Sequence, residues 1–418
     1  KMLVLLCLFV SAKSFQHSEV YGSVEDLGYY YVEVHVGTPP VTQTVIVDTG
    51  STVTAFPCVG CTNCGSHMDI YFDYRNSNTS RVVTCHEGVQ CSSCHNDKCG
   101  YSQGYAEGSS IAGYLVEDYF SFGNNQEVRF VFGCHTKETN MFRSQKADGI
   151  MGLGFTRRNK GTLVDALYES EIVSTDVLGL CLGKTDGFMT VGGFNSSNHL
   201  EPIKWVPMHE NPFYSLTVSD IKVGGVSLEV DNQDTIIDSG TTFAYLSTSS
   251  FNAFWNEFHE YCSDPTSCIG EVQNIASENC FKLNGTLDEF MESFPVISLV
   301  VNETSIEWLP QNYLVNWPEF PNVYCVGVYR NHGRQNVLGG VFMRGQDVVI
   351  DRGTERIGFA HSECSLEELH GSSRRLQLQD EKTHKTAYFG LILSVLVLAV
   401  GLLKLSRTTI RHNSILVN

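Results

Sequence analysis

The chain has 418 residues, 42% of them hydrophobic and 18% charged, with 24 Phe and 18 Tyr. That composition excludes a wholly disordered or fibrous protein and leaves room for two or three domains. Acidic residues outnumber basic ones 46 to 28, for a net charge of −18, and no Lys/Arg-rich run is present, so the electrostatic footprint of a nucleic-acid binder is missing.

Residues 1–14 read as a secretory signal peptide: Lys1, an apolar run over 3–10, then the small-residue pattern around Ala12 and Ser14. The segment removes Cys7 and leaves fourteen of the 15 cysteines, an even number, as paired disulfides in an oxidising lumen require. Four Asn-x-Ser/Thr sequons, at Asn78, Asn195, Asn284 and Asn302, are candidate glycosylation sites in that compartment. From residue 15 to about 364 the chain reads as an all-β body. Strands are expected at 29–36 before Gly37-Thr38-Pro39-Pro40, at 44–47, at 128–132, and at 215–223 before Gly224-Gly225. Helical patterns are few, the best at 163–170 and 251–261.

Beyond a linker at 366–385, the uncharged run 387–403, extended to 386–405, reaches the roughly 20 residues that cross about 30 Å of hydrocarbon. Basic residues flank it on both sides, Arg374, Arg375, Lys382 and Lys385 before, Lys404, Arg407 and Arg411 after, so they do not set its orientation. The cleaved signal does. The expectation is a single-pass type I membrane protein with a lumenal body and a cytosolic tail at 406–418, rather than a GPI-anchored one, since polar residues follow the span.

The body contains an internal echo. VIVDTGSTVTAF at 45–56 matches TIIDSGTTFAYL at 235–246, and each copy is followed by an apolar pair and Gly: Ile150-Met151-Gly152 ends 104 residues after Asp48, Val337-Leu338-Gly339 ends 101 after Asp238. A duplicated lobe explains this, with lobes at 15–205 and 206–365 related by a pseudo-twofold axis. Apolar strand residues place each Asp at the inner end of a buried strand, and the Gly two positions on permits a tight turn and close backbone approach. Two such turns meeting at the axis bring Asp48 opposite Asp238. Carboxylates at hydrogen-bonding distance share a proton, so one can deprotonate a water while the other protonates a carbonyl oxygen. That is amide hydrolysis with neither metal nor cofactor. The Gly50 and Gly240 N–H groups, with the Ser51 and Thr241 hydroxyls, are suited to hold the outer carboxylate oxygens, and Thr49 and Ser239 to brace the loops.

VDTGS at 47–51, DGIMGLG at 148–154, DSGTT at 238–242 and VLGGVFMRGQDVVIDRGTERIGFA at 337–360 resemble the pepsin-like aspartic proteases, over residue 29 to about 364. The shared-proton dyad of that family is a standard case. The resemblance implies a bilobal double-β-barrel fold, a peptide or protein substrate, a monomer, and a flap over 105–113 carrying Tyr105, Glu107 and Gly108, with Tyr101 the rival flap tyrosine. FPCVGCTNCGSHM at 56–68, the cysteines at 85, 91, 94 and 99, and GCHTKETNMF at 133–142 are similar to the membrane-anchored, plasmepsin V-like branch, proteases of the early secretory pathway. There Glu107 matches an acidic flap residue that can face a basic substrate side chain. Two departures stand out: Ala106 in place of a flap cysteine, and Ala55-Phe56 where many relatives have Trp. The resemblance also implies a Cys280–Cys325 bridge. A basic prosegment of family length is not expected, because the fourteen residues between Ser14 and Tyr29 hold no Lys or Arg.

Zinc is the competing reading of Cys58-x2-Cys61-x2-Cys64 and Cys91-x2-Cys94, but in a signal-bearing chain disulfides are expected. The 14 histidines form no HExxH motif. The competing function is a catalytically dead pepsin-like fold used for binding or inhibition, which loss of an Asp or of the flap Tyr would favour. Both Asp and Tyr105 are present.

Overall fold

Alternation builds the first strands. In Tyr29–Val36 the side chains of Tyr30, Val32, Val34 and Val36 are buried and Glu33 faces out, the period-2 pattern of a sheet with one wet face. The next strand, Val41–Asp48, is buried from Gln43 onward because it has neighbours on both sides, Tyr29–Val36 antiparallel and Gly149–Gly152 parallel. The computed structural model describes residues 15–366 apart from 123–125, 156–160, 212, 231 and 276–277. Strands dominate it, as expected. The signal segment, the membrane span, the tail and all but the first residue of the linker lie outside the described residues. Among the described residues no helix is long and apolar enough to cross a membrane.

The sequence echo is a structural echo. In the first copy Val41–Asp48 runs parallel to Gly149–Gly152, which pairs antiparallel with Thr54–Pro57, which runs parallel to Val128–Glu138. In the second, Gln233–Ile237 runs parallel to Asn336–Leu338, which pairs antiparallel with Ala244–Ser247, which runs parallel to Val328–Asn331. Even the outer neighbours correspond, Tyr29–Val36 in one and Phe213–Val218 in the other, each antiparallel to the strand that ends at the Asp.

The largest sheet passes from Lys204–Pro207 through Arg356–His361, Gln346–Asp351, Val177–Leu182, Asp186–Val191 and Gln16–Ser23 to Tyr29–Val36. Hydrogen bonds thus cross the expected 205/206 boundary, and the Cys181–Cys364 disulfide joins the same region.

The strands expected at 44–47 and 128–132 are longer, Val41–Asp48 and Val128–Glu138, and two further elements differ from expectation. The single strand at 215–223 is two, Phe213–Val218 on Gln233–Ile237 and Asp220–Val223 on Ile297–Val301. Ser219 makes the corner, its N–H and hydroxyl donating to the Val300 carbonyl at 2.8 and 3.1 Å; in a segment where polar and apolar residues already alternate, one more serine gives no sign of a change of sheet. The helix expected at 251–261 begins earlier, at Thr248–Tyr261, because Ser247 caps it, accepting the Ser250 N–H. Its Phe254, Trp255 and Phe258 enter the core.

Fourteen cysteines form seven disulfides: Cys58–Cys134, Cys61–Cys64, Cys85–Cys94, Cys91–Cys99, Cys181–Cys364, Cys262–Cys268 and Cys280–Cys325. Both motifs with zinc-like spacing are consumed in these bridges, so they offer no thiolate to a metal. Asn78, Asn195, Asn284 and Asn302 are all exposed.

Candidate active site

Each Asp sits where a buried strand ends and its chain turns back. Asp48 closes Val41–Asp48 and is 4% exposed; Asp238 follows Gln233–Ile237, its N–H donating to the Leu338 carbonyl at 3.0 Å. The two turns interlock. The Thr49 N–H donates to Ser239 Oγ at 3.0 Å and the Ser239 N–H to Thr49 Oγ1 at 2.9 Å. Thr49 Oγ1 then donates to the Ile237 carbonyl at 2.9 Å, and Ser239 Oγ to the Val47 carbonyl at 2.8 Å. Both hydroxyls are buried, so each bond replaces one to water that the site cannot supply.

This grip presses each glycine onto the opposite carboxylate. A Cβ on Gly50 would stand 2.5 Å from Asp238 Cγ, and one on Gly240 would stand 2.3 Å from Asp48 Oδ1. Only glycine fits either place. The donors are divided differently from expectation. Gly50 N–H reaches Asp48 Oδ1 at 2.9 Å, while the Ser51 hydroxyl takes Asp48 Oδ2. Likewise Gly240 N–H reaches Asp238 Oδ1 at 2.9 Å and Thr241 Oγ1 reaches Oδ2 at 2.6 Å. Asp48 Oδ1, the oxygen against the partner loop, is therefore held by an amide, not left bare. Amide and hydroxyl on opposite oxygens fix the rotation of each carboxylate about its Cα–Cβ axis.

Burial, and next the negative charge of Asp238, push the Asp48 carboxyl well above the usual range, against the pull of the Ser51 hydroxyl and Gly50 N–H. Such a pair carries one proton between two carboxylates at neutral pH. It can give that proton to one atom and take one from another.

A hairpin lies over the pair. Lys98–Gly104 and Ser110–Ser121 are antiparallel, and the turn between them closes with Tyr105 N–H to the Ser109 carbonyl at 2.9 Å and Gly108 N–H to the Tyr105 carbonyl at 3.0 Å. Gly108 has φ +90°, as a hairpin tip requires. Tyr105 is the tyrosine that faces the site: burial and then the Asp48 charge push its phenol upward, so it stays protonated, and Ser51 acts on it in the opposite sense. Tyr101 instead lies in the strand, its ring against Gly133, where a Cβ would come 2.4 Å from Tyr101 Cζ. Glu107 is exposed at the tip. Gly113 is not part of the turn but sits at a bulge, where a Cβ would meet the Cys134 carbonyl oxygen at 1.8 Å.

Motif reading missed Phe142, whose ring lies 5.0 Å from that of Tyr105. It occupies an apolar cluster with Ile46, Ala55, Tyr101, Ile111, Ala147 and Ile150, beside the place where a tryptophan was absent from the sequence. The one signal for it was its position in the segment at 133–142. Motif reading also missed a buried His67–Glu138–His135 cluster.

Residues 29–362 match the model of the family described as eukaryotic aspartyl protease. The chain is similar to aspartic protease 5 of Toxoplasma gondii, 30% identical over 397 residues, which cover 86% of this chain and 39% of that protein. It is similar to plasmepsin V of Plasmodium falciparum, 24% identical over 476 residues, covering 92% of this chain and 79% of that protein. It is also similar to aspartyl protease family protein 1 of Arabidopsis thaliana, 29% identical over 366 residues, covering 82% and 69%. The chain thus spans well under half the length of the Toxoplasma relative.

Proposed function

The chain belongs to the eukaryotic aspartyl protease family, an aspartic-type endopeptidase family, and from that premise we propose that it hydrolyses peptide bonds with Asp48 and Asp238 as its acid–base pair. The observation that carries this reading is the approach of each carboxylate to the opposite loop's glycine, which puts both acids at one point of the cleft. The carboxylate that lacks the proton takes one from a water, the water oxygen attacks the scissile carbonyl carbon, and the protonated partner gives its proton to the carbonyl oxygen. The tetrahedral diol collapses by the reverse transfers, with the leaving amine protonated and the pair restored. Tyr105 and the flap backbone cover an extended substrate strand. Glu107, exposed on the flap tip, faces a basic substrate side chain.

Seven disulfides suggest a secretory-pathway protein. The finer reading is a body facing the lumen of the endomembrane system, whether ER, Golgi or a lysosome-like vesicle, held by the single span at 386–405. Support for it comes from the apolar run itself.

The test is cleavage of a diverse peptide library by the full chain between pH 4 and 7, beside Asp48→Ala and Asp238→Ala. Cleavage abolished in both variants is the expected result. No cleavage by the folded, disulfide-intact wild type overturns the reading. Rates unchanged when Arg is replaced by Ala in every cleaved peptide remove the role of Glu107.

A further inference from the structure

The flap of this protein does not stand alone. Immediately after the strand Val128–Glu138, the chain leaves the sheet and runs along the flap tip as a short arm, Thr139 to Phe142. The Ser110 N–H donates to Thr139 Oγ1 at 2.7 Å, and the Thr139 N–H returns to the Ser110 carbonyl at 3.0 Å. Asn140 Nδ2 donates to the Gly108 carbonyl at 2.8 Å, and the Met141 N–H to Ser109 Oγ at 3.3 Å. Phe142 then packs on the Tyr105 ring. Within its own turn the tip makes two backbone bonds, Tyr105 to Ser109 and Gly108 to Tyr105. The arm therefore reaches every residue from Gly108 to Ser110, and Tyr105 besides.

An arm can position a flap only if its own root is fixed, and here it is. Glu138 is fully buried at the root, opposite Ile111 in the hairpin strand. Its Oε1 is 2.9 Å from His135 Nδ1, and its Oε2 takes the Gly65 N–H at 3.0 Å and His67 Nε2 at 3.2 Å. His67 in turn holds the Gln145 carbonyl at 3.1 Å, so the cluster also ties down the chain three residues past the arm. Asn140 itself has φ +48°, a left-handed conformation that Asn tolerates better than other residues with a side chain. The one residue type that supplies both the backbone turn and a terminal amide donor stands where both are used.

We propose that the segment from Glu138 to Phe142 is a positioning arm that holds the flap at a set height over Asp48 and Asp238, with Asn140 as the residue that fixes the tip. This rests on the peptidase reading and assigns to that site a residue that touches neither carboxylate. An ordered flap binds substrate without first losing its own freedom, which lowers the cost of binding. Release of the tip therefore raises KM more than it lowers kcat.

The test uses the full chain with Asn140→Asp, which keeps shape and backbone but offers no donor, and Asn140→Gly, which keeps the left-handed backbone and removes the side chain. Two readouts are taken: amide hydrogen exchange over residues 105–111 without substrate, and kcat and KM on a peptide cut by the wild type. The expected result is exchange at least about 10-fold faster in both variants, with KM raised about 5- to 10-fold and kcat within about 2-fold. Unchanged exchange in both variants overturns the arm. Faster exchange with unchanged KM overturns its role in positioning substrate. A wild type that cleaves nothing overturns the peptidase reading alone, since exchange still decides whether the arm holds the flap.

Discussion

Thr49 and Ser239 use their hydroxyls as both donor and acceptor, each accepting the other's backbone N–H and donating to the carbonyl of the residue just before the other loop's Asp. The distance between Asp48 and Asp238 is thus set by four bonds that lie outside both carboxylates. Thr242 Oγ1 to the Gly28 carbonyl at 2.6 Å and the Tyr214 hydroxyl to the Leu153 carbonyl at 2.7 Å add further ties between the halves.

Thr49→Val keeps the shape and removes the hydroxyl, leaving the Ser239 N–H and the Ile237 carbonyl buried without a partner. The expected cost is about 1–3 kcal/mol of stability, with lower kcat/KM. Because the four bonds act together, Thr49→Val with Ser239→Ala costs less than the sum of the single variants, with a coupling of about 0.5–3 kcal/mol. Denaturant unfolding of the wild type, both single variants and the double closes the cycle; strict additivity would refute the shared grip.

Gly240→Ala separates geometry from folding. The new Cβ lands 2.3 Å from Asp48 Oδ1, and Gly240 is exposed to the cleft rather than packed in the core. A displacement of about 1 Å at reacting groups costs on the order of 10²-fold in rate. The expected outcome is that loss in kcat/KM with a circular dichroism spectrum like that of the wild type. Retained activity would mean the carboxylates do not need the spacing seen here.

The root of the flap arm titrates. Burial pushes the Glu138 carboxyl up, but hydrogen bonds from His135, His67 and the Gly65 N–H overrule it and leave it at about 2. A carboxyl depressed in the folded state contributes stability that is present above its ordinary pKa near 4.5 and is lost as pH falls through about 2. Glu138→Gln is therefore expected to be destabilised most near neutral pH, with the deficit shrinking below pH 4. Melting temperatures between pH 2 and 7 check this. A deficit independent of pH would assign Glu138 a packing role only.

Much of the site was legible because its chemistry forces the residue types. An Asp at a strand end, a Gly that must admit a carboxylate, and hydroxyls on either side leave little freedom, and duplication wrote the pattern twice. The flap turn could be read from Gly108 for the same steric reason. The arm could not. Thr139, Asn140 and Phe142 act only because the antiparallel pairing of Val128–Glu138 with Ser110–Ser121 brings them beside the tip, and nothing local in KETNMF marks that meeting. The division of donors between the two oxygens of each Asp also depends on how the loops are turned, which residue spacing does not encode. Six of the seven disulfide pairings followed from tertiary proximity alone; the seventh, Cys280–Cys325, was implied by family resemblance.

A second pair of acids lies apart from the cleft, and its sign is the reverse of Glu138. Asp148 is satisfied, accepting from Thr44 N–H at 2.6 Å, Thr44 Oγ1 at 2.9 Å and Asp69 N–H at 2.9 Å. Asp69 is not: its Oδ2 is buried and finds no donor among the described residues. Burial, then the bond to Asp148 and its charge, raise the Asp69 carboxyl from an ordinary 3.8 to about 7. A protonated Asp69 donates where a charged one would repel. Stability from this group is therefore fully present below about 3.8 and is lost as pH rises through about 7. Asn at this position donates at every pH. Asp69→Asn is expected to match the wild type in melting temperature at pH 4–5 and to exceed it at pH 8, and equal differences at both pH values would exclude the shared proton. The loop that carries Asp69 also carries His67, so the same titration should show how firmly the arm's root is held as the pH of its compartment changes.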